Sequence, residues 1–276
     1  MSVVTFGKGS PLVLVPGIHG RWEYLRPCIE ALAVCFRVLT FPLCGEPGSN
    51  ARLDAASGLD NDARQIENAL DEAAIDRAVV CGVSFGGLPA IRFAAAHPAR
   101  TAALILASTP GSAWHLRARH QIYARAPWIF SPVFLAESPF RLRAELAAAF
   151  PRLPDRWRFV RWQLATLGRA PLSPSRMAAR AALIAAAGLR EDCALITAPT
   201  LLITGEPNLD RVVPVESTVA IRTLIRDAQH RTLPATGHLG SITKPEMFAD
   251  LIWEFVAASA GRTDALPRAQ AVDDVA

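Results

Sequence analysis

Short runs of uninterrupted apolar residues alternate with stretches of helical period over the first 107 positions of the chain. Residues 3–6 read as a short strand, and Gly7-Lys-Gly-Ser-Pro11 as turn chemistry. Leu12-Val-Leu-Val15 is apolar on both sides, as a strand buried in a parallel sheet must be. A helical stretch is expected over 22–34, a strand over 36–43 and a loop rich in Gly, Pro, Ser and Asn over 44–60. Asp62 is placed to cap a helix that runs to about Ala74. A strand at Ala78-Val-Val-Cys81, a helix ending at His97-Pro98 and a strand over 102–107 follow. This βαβα order predicts an α/β fold with a mainly parallel central sheet and helices on both faces.

The rhythm stops at Pro110. Residues 111–195 contain no convincing strand, only helical segments broken by Pro127, Pro132, Pro139, Pro151, Pro154, Pro171 and Pro174. Strand character returns at Thr200-Leu-Leu-Ile-Thr204, followed by a helix over 215–225, a strand over 230–233 and a final helix over 246–258. The expected organisation is a core of residues 1–110 and 196–260, a helical cap of residues 111–195 and a polar, frayed tail of residues 261–276.

Charge sharpens that division. Residues 1–110 carry nine basic and ten acidic side chains, and residues 196–276 seven basic and ten acidic. Residues 111–195 carry thirteen arginines, no lysine and five acids, so the inserted stretch holds the positive charge of a chain whose net charge is +4. Five cysteines without a C-x-x-C pair argue against a disulfide framework or a zinc site and for buried thiols in a reducing compartment. No apolar run approaches the roughly 18 residues that span a bilayer, and the first residues lack the pattern of a signal peptide. The expected location is cytoplasmic.

The chemistry centres on Gly82-Val-Ser-Phe-Gly86, which lies between a strand and a helix. That context makes G-x-S-x-G a sharp turn holding its serine, Ser84, in strained backbone above the sheet. Positions 82 and 86 need glycine for steric reasons. Pro89, a turn further on, is expected to open the start of the helix. A serine hydroxyl needs a base to take its proton and an acid to hold that base. Asp210 lies in the loop after the strand ending at Thr204, with Glu206 as the rival acid. His238 follows the last short strand between Gly237 and Leu239-Gly240, on a loop able to reach across. Of the other histidines, His97 ends a helix, His115 and His120 lie in the insertion, and His230 starts a strand. Two backbone donors would complete the site: the N–H of Phe85, and that of Ile18 in Pro16-Gly-Ile-His-Gly20. His19 and Trp114 are candidates for lining the pocket.

With these residues in place, the chain resembles the α/β-hydrolase fold family over essentially all of residues 3–258. The resemblance implies a serine hydrolase with an inserted helical cap, using Ser84, Asp210 and His238 with Ile18 and Phe85 as oxyanion donors. It implies no metal and no organic cofactor. Pro16-Gly17 stands where many members have His-Gly, and Leu43-Cys-Gly-Glu-Pro-Gly-Ser49 lacks an aspartate common there. The serine argues against the dehalogenase and epoxide-hydrolase branches, which use an aspartate as nucleophile.

Three function classes follow. The first is hydrolysis of carboxylic esters or thioesters with a small or medium apolar acyl group. The second uses the same triad for carbon–carbon bond hydrolysis or acyl transfer. The third is a ligand-binding protein on a hydrolase fold. The arginine-rich cap reads first as a solvated surface, with attraction of anionic substrates as the sharper alternative and contact with anionic lipid as a third. Nothing in the basic stretch matches a nucleic-acid-binding module.

Overall fold

A computed structural model describes residues 3–260 except Arg52 and Ala113. The tail expected over 261–276 lies outside the described residues. Seven strands form one sheet: β1 (Val4–Phe6), β2 (Ser10–Val15), β3 (Phe36–Thr40), β4 (Ala78–Val83), β5 (Thr101–Ala107), β6 (Thr200–Thr204) and β7 (Gln229–Thr232). Their order is β1-β3-β2-β4-β5-β6-β7, with β1 antiparallel to β3 and every other pairing parallel.

Side chains alternate between faces along each strand, so the central strands feed two separate cores. Val13 and Val15 of β2 point to the side covered by α2 (Asp60–Glu72) and α3 (Gly87–Ala96). Leu12 and Leu14 point to the side covered by α1 (Arg26–Leu32) and the helix over Pro245–Ala260. Because both faces are buried, β2 and β4 read as continuous apolar runs.

From β2 the chain moves to β3 on one side and then returns to β4 on the other. This is a topological switch point, where open α/β sheets leave a crevice beyond the strand ends. The register pairs Val15 with Gly82, so residues 16–20 after β2 and Ser84 after β4 emerge side by side.

Five helices separate β5 from β6: α4 (Ala118–Arg125), α5 (Pro127–Ala149), α6 (Leu153–Arg169), α7 (Pro174–Ala186) and α8 (Leu189–Leu195). Pro127, Pro154 and Pro174 sit in first turns, where no N–H is needed. Pro132 and Pro139, expected to break a helix, lie inside the 23-residue α5. The Ser131 hydroxyl donates to the Trp128 carbonyl at 3.5 Å, partnering the carbonyl that Pro132 cannot serve. Leu189 and Cys193 of α8 join the core beside α3, so the helical stretch has returned to the sheet before residue 195. Among the described residues the last three helices are α9 (Val215–Ala220), α10 (Gly240–Thr243) and α11 (Pro245–Ala260).

Two local expectations are corrected. The stretch over 22–34 divides into a 3₁₀ turn at Trp22–Leu25 and α1, because Pro27 falls at the start of a new helix. Asp62 is not a cap. Helix α2 begins at Asp60, and the buried Asp62 carboxylate accepts the Cys44 N–H at 3.1 Å, tying the preceding loop to the helix. All five cysteines are buried and free. Among the described residues no helix is long and apolar enough to cross a membrane.

Candidate active site

Ser84 has φ +54°, a left-handed conformation costly for a side chain with a Cβ. The strain persists because its surroundings leave no alternative. A Cβ on Gly82 would overlap the Gly86 carbonyl, and one on Gly86 would overlap the Val15 carbonyl. Strand, turn and helix are thus pressed together at Ser84. The opened helix start expected from Pro89 is instead a tighter 3₁₀ turn over Ser84–Gly86. With α3 starting only at Gly87, Pro89 falls in its first turn and displaces no hydrogen bond.

Beside it, Gly20 N–H donates to the Gly17 carbonyl at 2.8 Å, closing a turn with Ile18 and His19 at its two central positions. A Cβ on Gly17 would stand 3.4 Å from Ser84 Cβ, so this turn lies against the serine. Ile18 and Phe85 therefore flank Ser84 from the two strand ends.

Asp210 and His238 arrive from the other half of the sheet. The loops after β6 and β7 cross closely: a Cβ on Gly237 would come within 2.6 Å of the Leu209 carbonyl. His238 Nε2 lies 3.0 Å from Ser84 Oγ, and its Nδ1 lies 3.3 Å from Asp210 Oδ2. The other carboxylate oxygen, Asp210 Oδ1, accepts the N–H groups of Val212 and Val213, both at 2.9 Å. Burial pushes the Asp210 carboxyl up, but the imidazole of His238 and these N–H groups outweigh it and hold it below its ordinary value. Burial also opposes charge on His238, yet Asp210, through charge and hydrogen bond, and then Glu145 hold the imidazole above 6.5. The rival acid, Glu206, is occupied elsewhere. Its Oε1 accepts the Ala235 N–H at 2.8 Å, a bond that shapes the turn before His238.

A cavity of about 670 Å³ lies under the inserted helices and reaches this site at Ile18 and Asp210. Trp114, Tyr123, Phe130 and Phe134 form aromatic wall, and Arg117 and Arg141 bring positive charge. Trp114 Nε1 donates to the Val212 carbonyl at 3.4 Å, linking the insertion to the Asp210 loop. His19 is not among the lining side chains. Its ring packs on Tyr24 at a centroid distance of 5.0 Å, and burial, then the neighbouring His238 and Arg180, push its pKa down to about 4. Among the described residues no group of three or more His, Cys, Asp or Glu side chains is placed to hold a metal ion.

Two buried charges that the insertion sends into the core were not expected from the sequence. Arg180 on α7 donates to the Ile18 carbonyl at 3.1 Å and to Glu46 at 2.7 Å. Glu145 on α5 accepts the N–H groups of Gly237 and Leu239. Neither sits in a motif, and the only available signal was a charged residue within an otherwise apolar helix face.

The model of the alpha/beta hydrolase fold matches residues 10–245. The chain belongs to the α/β hydrolase fold family. Within it, a protein of Variovorax paradoxus named for carbamate hydrolysis, RutD, is 24% identical over 90% of this chain and 92% of its own length. The 2-hydroxymuconate semialdehyde hydrolase of a Pseudomonas species is 28% identical, covering 91% of this chain and 88% of its own. Among solved structures, the enol-lactonase of Burkholderia xenovorans superposes with a TM-score of 0.70 at 21% identity, covering 92% of this chain and 95% of that one. These three relatives are hydrolases by name, each named for a different kind of compound.

Proposed function

We propose that this protein is a serine hydrolase that cleaves carboxylic esters or thioesters through an acyl-enzyme intermediate. The observation that carries the reading is the unbroken chain from Ser84 Oγ through the His238 imidazole to the Asp210 carboxylate, with contacts of 3.0 and 3.3 Å. In that chemistry Ser84 Oγ bonds to the substrate carbonyl carbon while its proton passes to His238 Nε2. Asp210 holds the Nδ1 proton and steadies the imidazolium. The tetrahedral oxyanion is met by the Ile18 and Phe85 N–H groups. As the carbon–oxygen or carbon–sulfur bond breaks, the leaving group takes the proton from His238. A water then gives a proton to His238 and attacks the acyl carbon; the bond from Ser84 Oγ to that carbon breaks, Oγ takes the proton back from His238, and the acid leaves.

The aromatic cavity supports an apolar acyl group, and an enol-lactone, the substrate in one structural neighbour's name, is itself a cyclic ester. A second reading keeps Ser84, His238 and Asp210 for carbon–carbon bond hydrolysis. It is favoured by the relative named for a semialdehyde, a compound class defined by an aldehyde rather than an ester.

The test is labelling with a fluorophosphonate, followed by a panel of p-nitrophenyl esters of increasing chain length run beside diketone substrates. Ser84 should be modified, and Ser84→Ala should lose labelling and roughly 10⁴–10⁶-fold in kcat. An unlabelled wild-type protein would leave only the ligand-binding reading. Turnover of diketones without esters would move the assignment to the second.

A further inference from the structure

Helix α5 touches two different things along its length. Phe130, Phe134 and Arg141 wall the cavity, and one turn after Arg141 comes Glu145, which is 1% exposed. Glu145 Oε1 accepts the N–H of Gly237 at 2.8 Å and that of Leu239 at 2.6 Å. These amides lie immediately before and after His238. The second oxygen, Oε2, is buried without a hydrogen-bond partner. Burying a carboxylate is costly, and a well-packed apolar side chain of similar volume often does as well or better for stability. Packing alone therefore does not account for an acid here. What a carboxylate adds is a two-point hold on the loop and a negative charge beside the ring.

We propose that Glu145 is a positioning residue, which holds the His238 loop from the inserted helices so that the imidazole spans Ser84 and Asp210, and which sets a carboxylate beside that loop. This rests on the reading of Ser84 and His238 as nucleophile and base. Four groups face the ring: Ser84 beyond β4, Asp210 beyond β6, His19 beyond β2 and Glu145 from α5. Ser84 is uncharged and His19 is neutral above about pH 4, so Asp210 and Glu145 are the charges bearing on it. Burial raises the Glu145 carboxyl to about 6; the Gly237 and Leu239 N–H groups and His238 offset part of that effect, and Asp210 adds to it. Glu145 thus gives up its charge as pH falls through that region, and its protonation is coupled to that of His238.

Two substitutions separate the hold from the charge. Glu145→Gln keeps an oxygen for both amides and removes the charge, whereas Glu145→Ala removes both. The His238 titration is followed by NMR in the full-length protein with labelled histidine, assigned by the signal lost in His238→Gln. The kcat/KM pH profile is measured in parallel with a p-nitrophenyl ester. In Glu145→Gln the His238 midpoint should fall by about half a pH unit or more, with kcat at pH 8 nearly retained. In Glu145→Ala kcat should fall roughly 10–10²-fold with little change in KM. An unchanged His238 midpoint in Glu145→Gln overturns the proposal, as does full kcat in a folded Glu145→Ala. If the alanine variant does not fold, the glutamine variant decides alone. Failure of the hydrolase reading looks different: wild-type protein is then unlabelled by fluorophosphonate, while the His238 midpoints still report on Glu145.

Discussion

Arg180 Nη1 donates to the Ile18 carbonyl at 3.1 Å, so a helix of the insertion grips the turn that flanks Ser84. The same guanidinium holds Glu46 and the Cys44 carbonyl, and all of it is buried. The other Glu46 oxygen lies 3.8 Å from Arg176. Arg180→Ala should therefore leave a buried carboxylate poorly compensated and cost about 3–5 kcal/mol of stability. Denaturant unfolding measures this. The double variant Arg180→Met with Glu46→Leu should recover part of the loss, since the Glu46 carboxylate is then no longer stranded, while Arg176 and the buried Asp62 still lose an opposite charge.

The turn that Arg180 grips allows one donor to be deleted cleanly. Ile18 follows Gly17 in a turn closed by Gly20 N–H on the Gly17 carbonyl, and the first central position of such a turn accepts proline. Ile18→Pro keeps the turn and removes the N–H. kcat should drop by roughly 10²–10³ while the unfolding midpoint stays close to wild type. Retention of full kcat would mean that the oxyanion does not sit at this turn.

The two acids after β6 should separate sharply under substitution. Asp210→Asn puts an amide behind the His238 ring and disturbs the tautomer it needs, with an expected loss of ~10⁴ in kcat. Glu206→Gln keeps an oxygen for the Ala235 N–H and should cost less than about tenfold, because its contact shapes the loop without reaching the imidazole. Steady-state kinetics on both variants checks the assignment.

These contrasts also mark what could be read along the chain. Ser84, Asp210 and His238 each follow a recognisable strand, so order and local turn chemistry point to three positions whose side chains meet at 3.0 and 3.3 Å in the fold. The sheet was legible for the same reason: strands buried on both faces must be apolar throughout. Helix α5 was not legible, because its two internal prolines argue locally for breaks, yet the helix runs through both. Asp62 looked like a cap because its spacing is right, yet its partner, the Cys44 N–H, comes from a loop whose path no local pattern fixes. Arg180 and Glu145 carry no motif at all. Their role exists only once the inserted helices meet the loops at 18 and 238, a relationship between segments more than 90 residues apart in sequence.

The base should impose a clear acid limb. In the proposed mechanism His238 must be neutral to accept the Ser84 proton, and Asp210 and Glu145 hold its pKa above 6.5 despite burial. Activity should accordingly fall as pH drops through a midpoint above 6.5 in the kcat/KM profile. His19, pushed down to about 4, contributes nothing in that range, so His19→Gln should leave its ring-dependent titration absent and the limb's shape above pH 5 unchanged. A midpoint well below 6.5 would show that Asp210 does not stabilise the imidazolium.

Charge around the cavity gives a prediction that separates steering from mere solvation. Arg141 stands 4.3 Å over the Phe134 ring and donates to the Phe134 carbonyl at 3.2 Å and the Ser138 hydroxyl at 3.0 Å, which fixes a cation in the wall. Arg117 and Arg211 line the same space. If this charge draws in anionic substrates, kcat/KM for an ester bearing a remote carboxylate should fall as ionic strength rises and the Debye length shrinks from about 30 Å at 0.01 M to about 8 Å at 0.15 M. A neutral ester of equal size should show no such decline, and Arg141→Gln should flatten the salt dependence of the charged one. Equal salt profiles for both esters would reduce the arginines to solvated surface.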